Sequence, residues 1–428
     1  MASLSLIPGS GVASIGDHAM ADPFAPIPGD CTSPAGFLAG GGTCGLKASG
    51  RPDVGAIMST RPATSAATFT TNLVKAAPVL VSREHLQVTG GTQRAIVFNS
   101  GNANAATGTQ GLADARQMAF RFCDGPGAPH GVIVDDVFVA STGVIGVPLD
   151  MDRLGAGIAN LHLTADGGHH AVRAMMTTDT VPKAVAATFT AHGRTVTVGG
   201  IAKGAAMIAP HMATMLAFVT TDAAVEAQYL QLALTRAVDS SFNMIIIDGD
   251  MSTNDTCFLI ANGASWGGAP LDGSQAECAT FEAALGYVCG ELARAMARDG
   301  EGSTKFIVVD VAGAATVADA RRVARAVAGS NLTKAAVLGA DPNWGRIACA
   351  AGYSGAPVDP NRLEIAIGGL TLVRDGVAVR YDPDAASARM KGTEVHIRVG
   401  LHLGNESATA WGCDLTPDYV RLNSDYTT

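Results

Sequence analysis

An α/β fold is the class this sequence predicts, on three observations. Short runs rich in Val and Ile alternate with longer stretches in which apolar residues recur at helical spacing. Hydrophobic residues make up 47% of the 428 positions and charged ones 16%, which supplies a sizeable core and argues against a disordered chain. Glycine occurs 51 times while aromatics are only 5%, a balance that favours close backbone packing and many tight loops. The length admits two packed domains or one large α/β body.

Residues 1–30 contain no Lys or Arg and are punctuated by Pro8, Pro23, Pro26 and Pro28, which fits neither a secretory signal nor a basic transit peptide and predicts a floppy extension. The Gly-rich stretch 31–47 reads as loop. RAIVFNS at 94–100 predicts a buried strand running into the Asn- and Gly-rich turn NSGNANAATG. A helix is expected over 111–123 and a strand over 132–140, the latter stopping at Ser141-Thr142-Gly143. Alternation predicts a strand at 195–201, and 214–220 reads as a buried one. Asp222 is placed to cap a helix over about 223–238. NMIII at 243–247 predicts a strand ending at the acidic turn DGD. A long helix is expected over 277–298, with Arg294 and Arg298 favouring its C-terminal end. Strands at 306–311 and 335–338, a helix at 317–328, and a strand carrying Val395, Ile397 and Val399 complete the reading.

Composition excludes several functions. With 29 Lys and Arg against 38 Asp and Glu, the net charge is -9, a poor match to nucleic acid or an anionic membrane surface. No stretch approaches the roughly 18–20 apolar residues that span a bilayer. Eight cysteines are scattered without a C-x-x-C pair, so reduced, mostly buried thiols in a cytosolic protein are expected. The ten histidines also lack ligand spacing. No metal is therefore expected, and His169-His170 reads as a solvated loop. G-x-S-x-G and a phosphate-binding P-loop are both absent, and the glycine clusters at 40–45 and 263–268 lack dinucleotide spacing. No organic cofactor is expected.

The segment around Thr214 remains as a source of chemistry. A threonine hydroxyl is a weak nucleophile, and one way to activate it without histidine is to free its own α-amine as the base. That amine titrates near roughly 7.7–8.0, so part of it is neutral in the cytosol. Freeing it requires a chain break after Ala213. Gly204, Pro210 and Ala213 suit a loop with little bulk around the scissile bond; the start of a buried strand is the other reading of the same residues.

KGAAMIAPHMATML, which contains Lys203 and Thr214, resembles the segment K-G-x-G-M-I-x-P-N-M-A-T-M-L of the ornithine acetyltransferase family, the bifunctional glutamate N-acetyltransferases. NSGNANAATG, STGVIG, MTTDT, DGDMSTNDT, RDGEGSTK, GADPNWGRI and DLTPDYVRLNSDYTT are similar to further family blocks in family order. The resemblance runs from about residue 32 to the last.

That resemblance implies a layered α/β sandwich of the DmpA/ornithine acetyltransferase type, cut at Ala213-Thr214 into fragments 31–213 (after the extension) and 214–428. It implies that Thr214 carries the acyl group, and that Thr142 and Gly143 form an oxyanion hole. Lys203 is implied to meet a substrate carboxylate, Glu301 the side-chain amine of ornithine, and Thr177, Asn423 and Thr428 other parts of the substrate. The implied substrates are N-acetylornithine and glutamate, with acetyl-CoA as a possible co-substrate and an α2β2 assembly of the fragments. Ala206 stands where the family has Gly and would restrict a backbone needing positive φ; His211 stands where it has Asn. These departures leave room for an acyltransferase paralogue acting on a related amino acid, or an amidase or aminopeptidase of the same superfamily. Asn102 and Asn104 either line a pocket or shape a turn, and Asp341 and Arg346 of DPNWGR are expected to serve the scaffold.

Overall fold

The computed structural model describes residues 23–209 and 215–425. Three sheets organise them. A six-stranded sheet runs, in spatial order, Ala25–Ile27, Lys183–Ala191, Arg194–Lys203, Leu216–Thr221, Thr256–Ala261, Thr64–Phe69. A four-stranded sheet runs Phe37–Gly42, Val54–Ser59, Ala95–Asn102, Val137–Val144. The third has seven strands, with Glu406–Cys413, Phe306–Ala314 and Glu394–Gly400 at its heart.

Burial explains which strands are central. LAFVTT and TCFLIA lie side by side in parallel and are buried at every position, so they read as unbroken apolar runs rather than as alternating ones. The six- and four-stranded sheets face each other through aromatic rings. Phe138 stacks on Phe258 with centroids 4.1 Å apart, and Phe98 packs against Phe218 at 5.2 Å. Truncating a buried ring such as Phe258 to Ala costs about 3–5 kcal/mol in comparable cores. The far side of the four-stranded sheet is covered by helices Ala77–Thr89, Gly108–Asp124 and Met151–Ala159. Helix Glu277–Arg298 follows the expected bounds. Its buried Phe281, Leu285, Val288, Leu292 and Met296 share one core with the six- and seven-stranded sheets.

Several expectations are corrected. The floppy extension expected over 1–30 does not hold for its described part: Ala25–Ile27 pairs antiparallel with Lys183–Ala191, and Phe24 packs on Tyr287. An edge position tolerates Pro26, whose missing N–H breaks no internal ladder bond. The expected loop at 31–47 contains strand Phe37–Gly42. Glycine is required there because a Cβ at Gly40 would come within 2.2 Å of the His162 carbonyl oxygen, and one at Gly41 within 2.3 Å of that of His170. His169 and His170 lie in helix Gly168–Met175, not in a loop. Asp222 is no helix cap. It is buried, accepts from the backbone N–H groups of Ala35 and Thr197 and from the Ser265 hydroxyl, and the helix begins only at Ala227. The strand expected at 335–338 belongs to helix Asn331–Leu338, whose Ser330 hydroxyl accepts from the Thr333 N–H. Of the strand expected at 243–247 only Ile245–Ile246 pairs, after a short 3-10 turn.

Candidate active site

Two antiparallel neighbours of the six-stranded sheet frame the site. Arg194–Lys203 ends with Lys203 opposite Leu216, the first residue of the next strand. The connection 204–215 therefore leaves and re-enters the sheet at one end. Within it, Asp248 receives the Met207 and Ile208 N–H groups, the latter at 2.8 Å, and buried Asp255 receives the Met215 N–H at 2.9 Å. Both flanks of the connection are thus held by carboxylates of the DGDMSTNDT block. Pro210, His211, Ala213 and Thr214 themselves lie outside the described residues, as does Thr428.

At this end of the sheet opens a cavity of about 780 Å³. Thr142, Gly143, Thr177, Lys203, Glu301 and Asn423 all line it. Asn102, Asn104, Asp341 and Arg346 do not line it. Asn104 adopts a left-handed backbone (φ 46) in the link between strand Ala95–Asn102 and helix Gly108–Asp124, and the Arg346 guanidinium donates to the Leu332 carbonyl instead.

Thr142 and Gly143 end strand Val137–Val144, which runs parallel to Ala95–Asn102 with Gly143 opposite Gly101. The approach is close. A Cβ on Gly143, whose φ is 133, would stand 2.3 Å from the Gly101 carbonyl carbon. The Thr142 hydroxyl accepts from the Lys203 ammonium at 3.3 Å, which leaves its own proton free to be given away.

Lys203 is 2% exposed. Burial lowers its pKa and Lys183 adds to the effect, while Asp179, Asp255 and Glu301 oppose it. Asp179 is the hub. One carboxylate oxygen accepts from the Lys183 ammonium at 2.6 Å and the Gly204 N–H at 2.7 Å, and the other from the Thr177 N–H at 3.0 Å. Burial alone would raise its pKa, but Lys203 and Lys183 outweigh that and hold the carboxyl at about 2. Lys183 also pairs with Asp299 at 2.6 Å, just past the end of helix Glu277–Arg298.

The same helix end delivers Glu301, whose N–H donates to the Ala205 carbonyl at 2.8 Å. Helix Pro417–Asp425 folds back onto this turn. The Thr416 hydroxyl donates to the Gly302 carbonyl at 2.6 Å, and the Asn423 amide to the Glu301 carboxylate at 2.9 Å. Tyr419 lines the cavity beside them. Its pKa is raised by burial first and then by the negative charge of Asp248. Burial likewise raises the Asp248 and Asp255 carboxyls.

Sequence reasoning assigned no role to Asp179, Lys183, Asp248, Asp255 or Tyr419, although four of them sit inside the quoted blocks. Local sequence carries no signal for them: Asp248 stands beside Asp250, Asp179 and Lys183 are four residues apart, and Tyr419 lies between Asp418 and Arg421. Ala206 lines the cavity, but the left-handed backbone falls on its neighbour Met207 (φ 55), so the methyl group of Ala206 meets no such restriction. Among the described residues no group of three or more His, Cys, Asp or Glu side chains could hold a metal ion.

Comparison with known proteins adds the lineage. The ArgJ family model matches residues 38–428. Two proteins described as arginine biosynthesis bifunctional protein ArgJ are similar over nearly their whole length. The one from Symbiobacterium thermophilum is 50% identical over 406 residues, 94% of this chain and 99% of that protein. The one from a Synechocystis species is 47% identical over 414 residues, covering 94% and 98%. A crystal structure of the Bacillus halodurans protein of the same description is 43% identical over 49% of this chain and 98% of that one, with a TM-score of 0.47. With a family match over nearly the full length and half the positions identical to a near full-length relative, the chain belongs to the ArgJ family.

Proposed function

We propose that the chain cuts itself between Ala213 and Thr214 and then moves acetyl from N2-acetyl-L-ornithine to L-glutamate through an ester on Thr214. The observation that carries this reading is the convergence of Thr142, Gly143, Thr177, Lys203, Glu301 and Asn423, far apart in sequence, on one cavity at the end of the sheet where residue 215 re-enters it. Family membership supports the reaction class.

The residues suit a two-step transfer. The Thr214 hydroxyl attacks the acetyl carbonyl while its α-amine takes the proton. The Thr142 hydroxyl and the Gly143 N–H stabilise the oxyanion, each such preorganised donor being worth about 2.7–4 kcal/mol. Collapse of the tetrahedral intermediate breaks the amide C–N bond, and ornithine leaves with the proton. The amine of glutamate then attacks the ester and regenerates Thr214. Lys203 meets the α-carboxylate that both substrates share, and Glu301, oriented by Asn423, meets the δ-ammonium of ornithine. Cleavage uses the same hydroxyl against the Ala213 carbonyl: the peptide C–N bond breaks as an ester forms on Thr214 and its amine takes the proton, and water then hydrolyses that ester to leave fragments of residues 1–213 and 214–428, which pair as α2β2 in the cytosol. Thr177 and Thr428 complete the substrate contacts. No metal or organic cofactor takes part, and acetyl-CoA is a second acetyl donor to be assayed.

The test is mass spectrometry of purified protein mixed with acetylornithine and glutamate. Acetylglutamate formed in step with ornithine supports transfer. Acetate released in its place would make the chain an amidase, and an uncut, unacetylated chain would overturn the reading.

A further inference from the structure

A transferase that exchanges ornithine for glutamate at one site meets side chains of opposite charge in turn. Glu301 suits the ammonium of the first and repels the second carboxylate of the other. The cavity therefore needs a cation besides Lys203, which is committed to the shared α-carboxylate.

Two more cations line it, Lys47 and Arg51. They sit on consecutive carbonyls. The Lys47 ammonium donates to the Pro52 and Met176 carbonyls, both at 2.6 Å, and the Arg51 guanidinium to the Thr177 carbonyl at 3.0 Å. Neither makes an ion pair with a carboxylate among the described residues. Asp53, the nearest acid in sequence, is already occupied by the backbone N–H groups of Cys44, Leu46 and Lys47. Lys47 is half-buried and titrates at about 8. Burial lowers it most, with Arg51 and Lys203 adding to the effect and Asp53 and Asp179 opposing it; an incoming anion would meet three cations, Lys47, Arg51 and Lys203, along this side of the cavity. The acids that line the cavity are Asp248, Asp250 and Glu301. Of these, Asp248 is engaged by the 207–208 backbone and Glu301 by Asn423.

We propose that Lys47 and Arg51 form the subsite for the second carboxylate of a dicarboxylic acetyl acceptor, an inference that rests on the transfer reading above. Arg51 supplies a planar fork suited to a carboxylate, and Lys47 the third proton of an ammonium whose other two are held by carbonyls. Arg51 lies at the exposed rim, where its replacement leaves the core untouched.

The experiment compares wild type, Arg51→Ala and Arg51→Glu, with L-glutamate and its uncharged isostere L-glutamine as acceptors. Release of ornithine from acetylornithine in a single turnover is measured separately. The preference for glutamate over glutamine, as a ratio of kcat/KM, should fall about tenfold or more in Arg51→Ala and further in Arg51→Glu, as expected for loss of a hydrogen bond to a charged group. Ornithine release should stay within about twofold of wild type, consistent with a group that acts only on the acceptor. A preference that stays at the wild-type value, or that changes only together with ornithine release, overturns the subsite alone. Wild-type protein that acetylates neither acceptor overturns the transfer reading and the subsite with it.

Discussion

Asp179 offers the sharpest test of how the site is held together. Its two oxygens accept from three donors, the Lys183 ammonium and the Gly204 and Thr177 N–H groups. An asparagine in its place must turn an NH2 toward at least one donor, so the shape is kept while a buried bond is replaced by a clash of donors. The electrostatic part follows from the titration. A carboxyl held at about 2 against an ordinary 3.8 adds about 2 kcal/mol to stability at neutral pH. Because the folded value is the lower one, this contribution is present above pH 4 and is lost as the pH falls toward 2. Lys183 keeps Asp299 as a partner at 2.6 Å, which tempers the loss. With the unsatisfied donor included, Asp179→Asn should cost about 3 kcal/mol at pH 7. Urea unfolding in an uncut Thr214→Ala background keeps the transition within a single chain. The stability gap between that background and the same protein carrying Asp179→Asn should narrow as the pH falls from 4 toward 2. A loss below about 1 kcal/mol at pH 7, or a gap independent of pH, would refute the reasoning.

Other substitutions probe individual roles. Thr142→Val should lower kcat about 10²–10³-fold with KM little changed, because it removes one oxyanion donor; a KM effect alone would move Thr142 out of the oxyanion hole. Gly143→Ala should give a protein that is destabilised by several kcal/mol or insoluble, since its methyl would stand 2.3 Å from the Gly101 carbonyl carbon; a normal unfolding midpoint would contradict the close strand approach. Glu301→Gln should raise KM for acetylornithine about tenfold or more while sparing use of glutamate, measured by initial rates with each substrate varied in turn. Equal losses for both substrates would remove Glu301 from the recognition of the ornithine ammonium.

Parts of this architecture are plain in the sequence for physical reasons. Helix Glu277–Arg298 carries its apolar residues at helical spacing for 22 residues, longer than any strand, so period and length agree. Lys203 stands out as the only Lys, Arg, Asp or Glu between Arg194 and Asp222, and the structure buries it with its ammonium on the Thr142 hydroxyl and within the field of Asp179. The run AAVL at 335–338 is too short for its period to be read, and Ser330, the cap that marks a helix, lies five residues earlier. Gly40 and Gly41 look like loop because the reason for them is tertiary: the backbones at His162 and His170 press against that strand. Asp179 and Asp248 escape for a similar reason. Asp179 has Lys183 four residues on, but it is the Gly204 N–H from another segment that ties it to the site, and Asp248 accepts from the distant Met207 and Ile208 N–H groups, which no local spacing encodes.

The central claim is that the reacting hydroxyl and its base belong to one residue exposed by cleavage. Intact-mass analysis of the purified protein, before and after brief incubation with acetylornithine, addresses it directly. The account predicts two fragments, the second beginning at Thr214 and gaining about 42 Da on that residue, as for an acetyl ester. A single species at 43.4 kDa, or acetyl carried by a fragment that does not begin at Thr214, would contradict it.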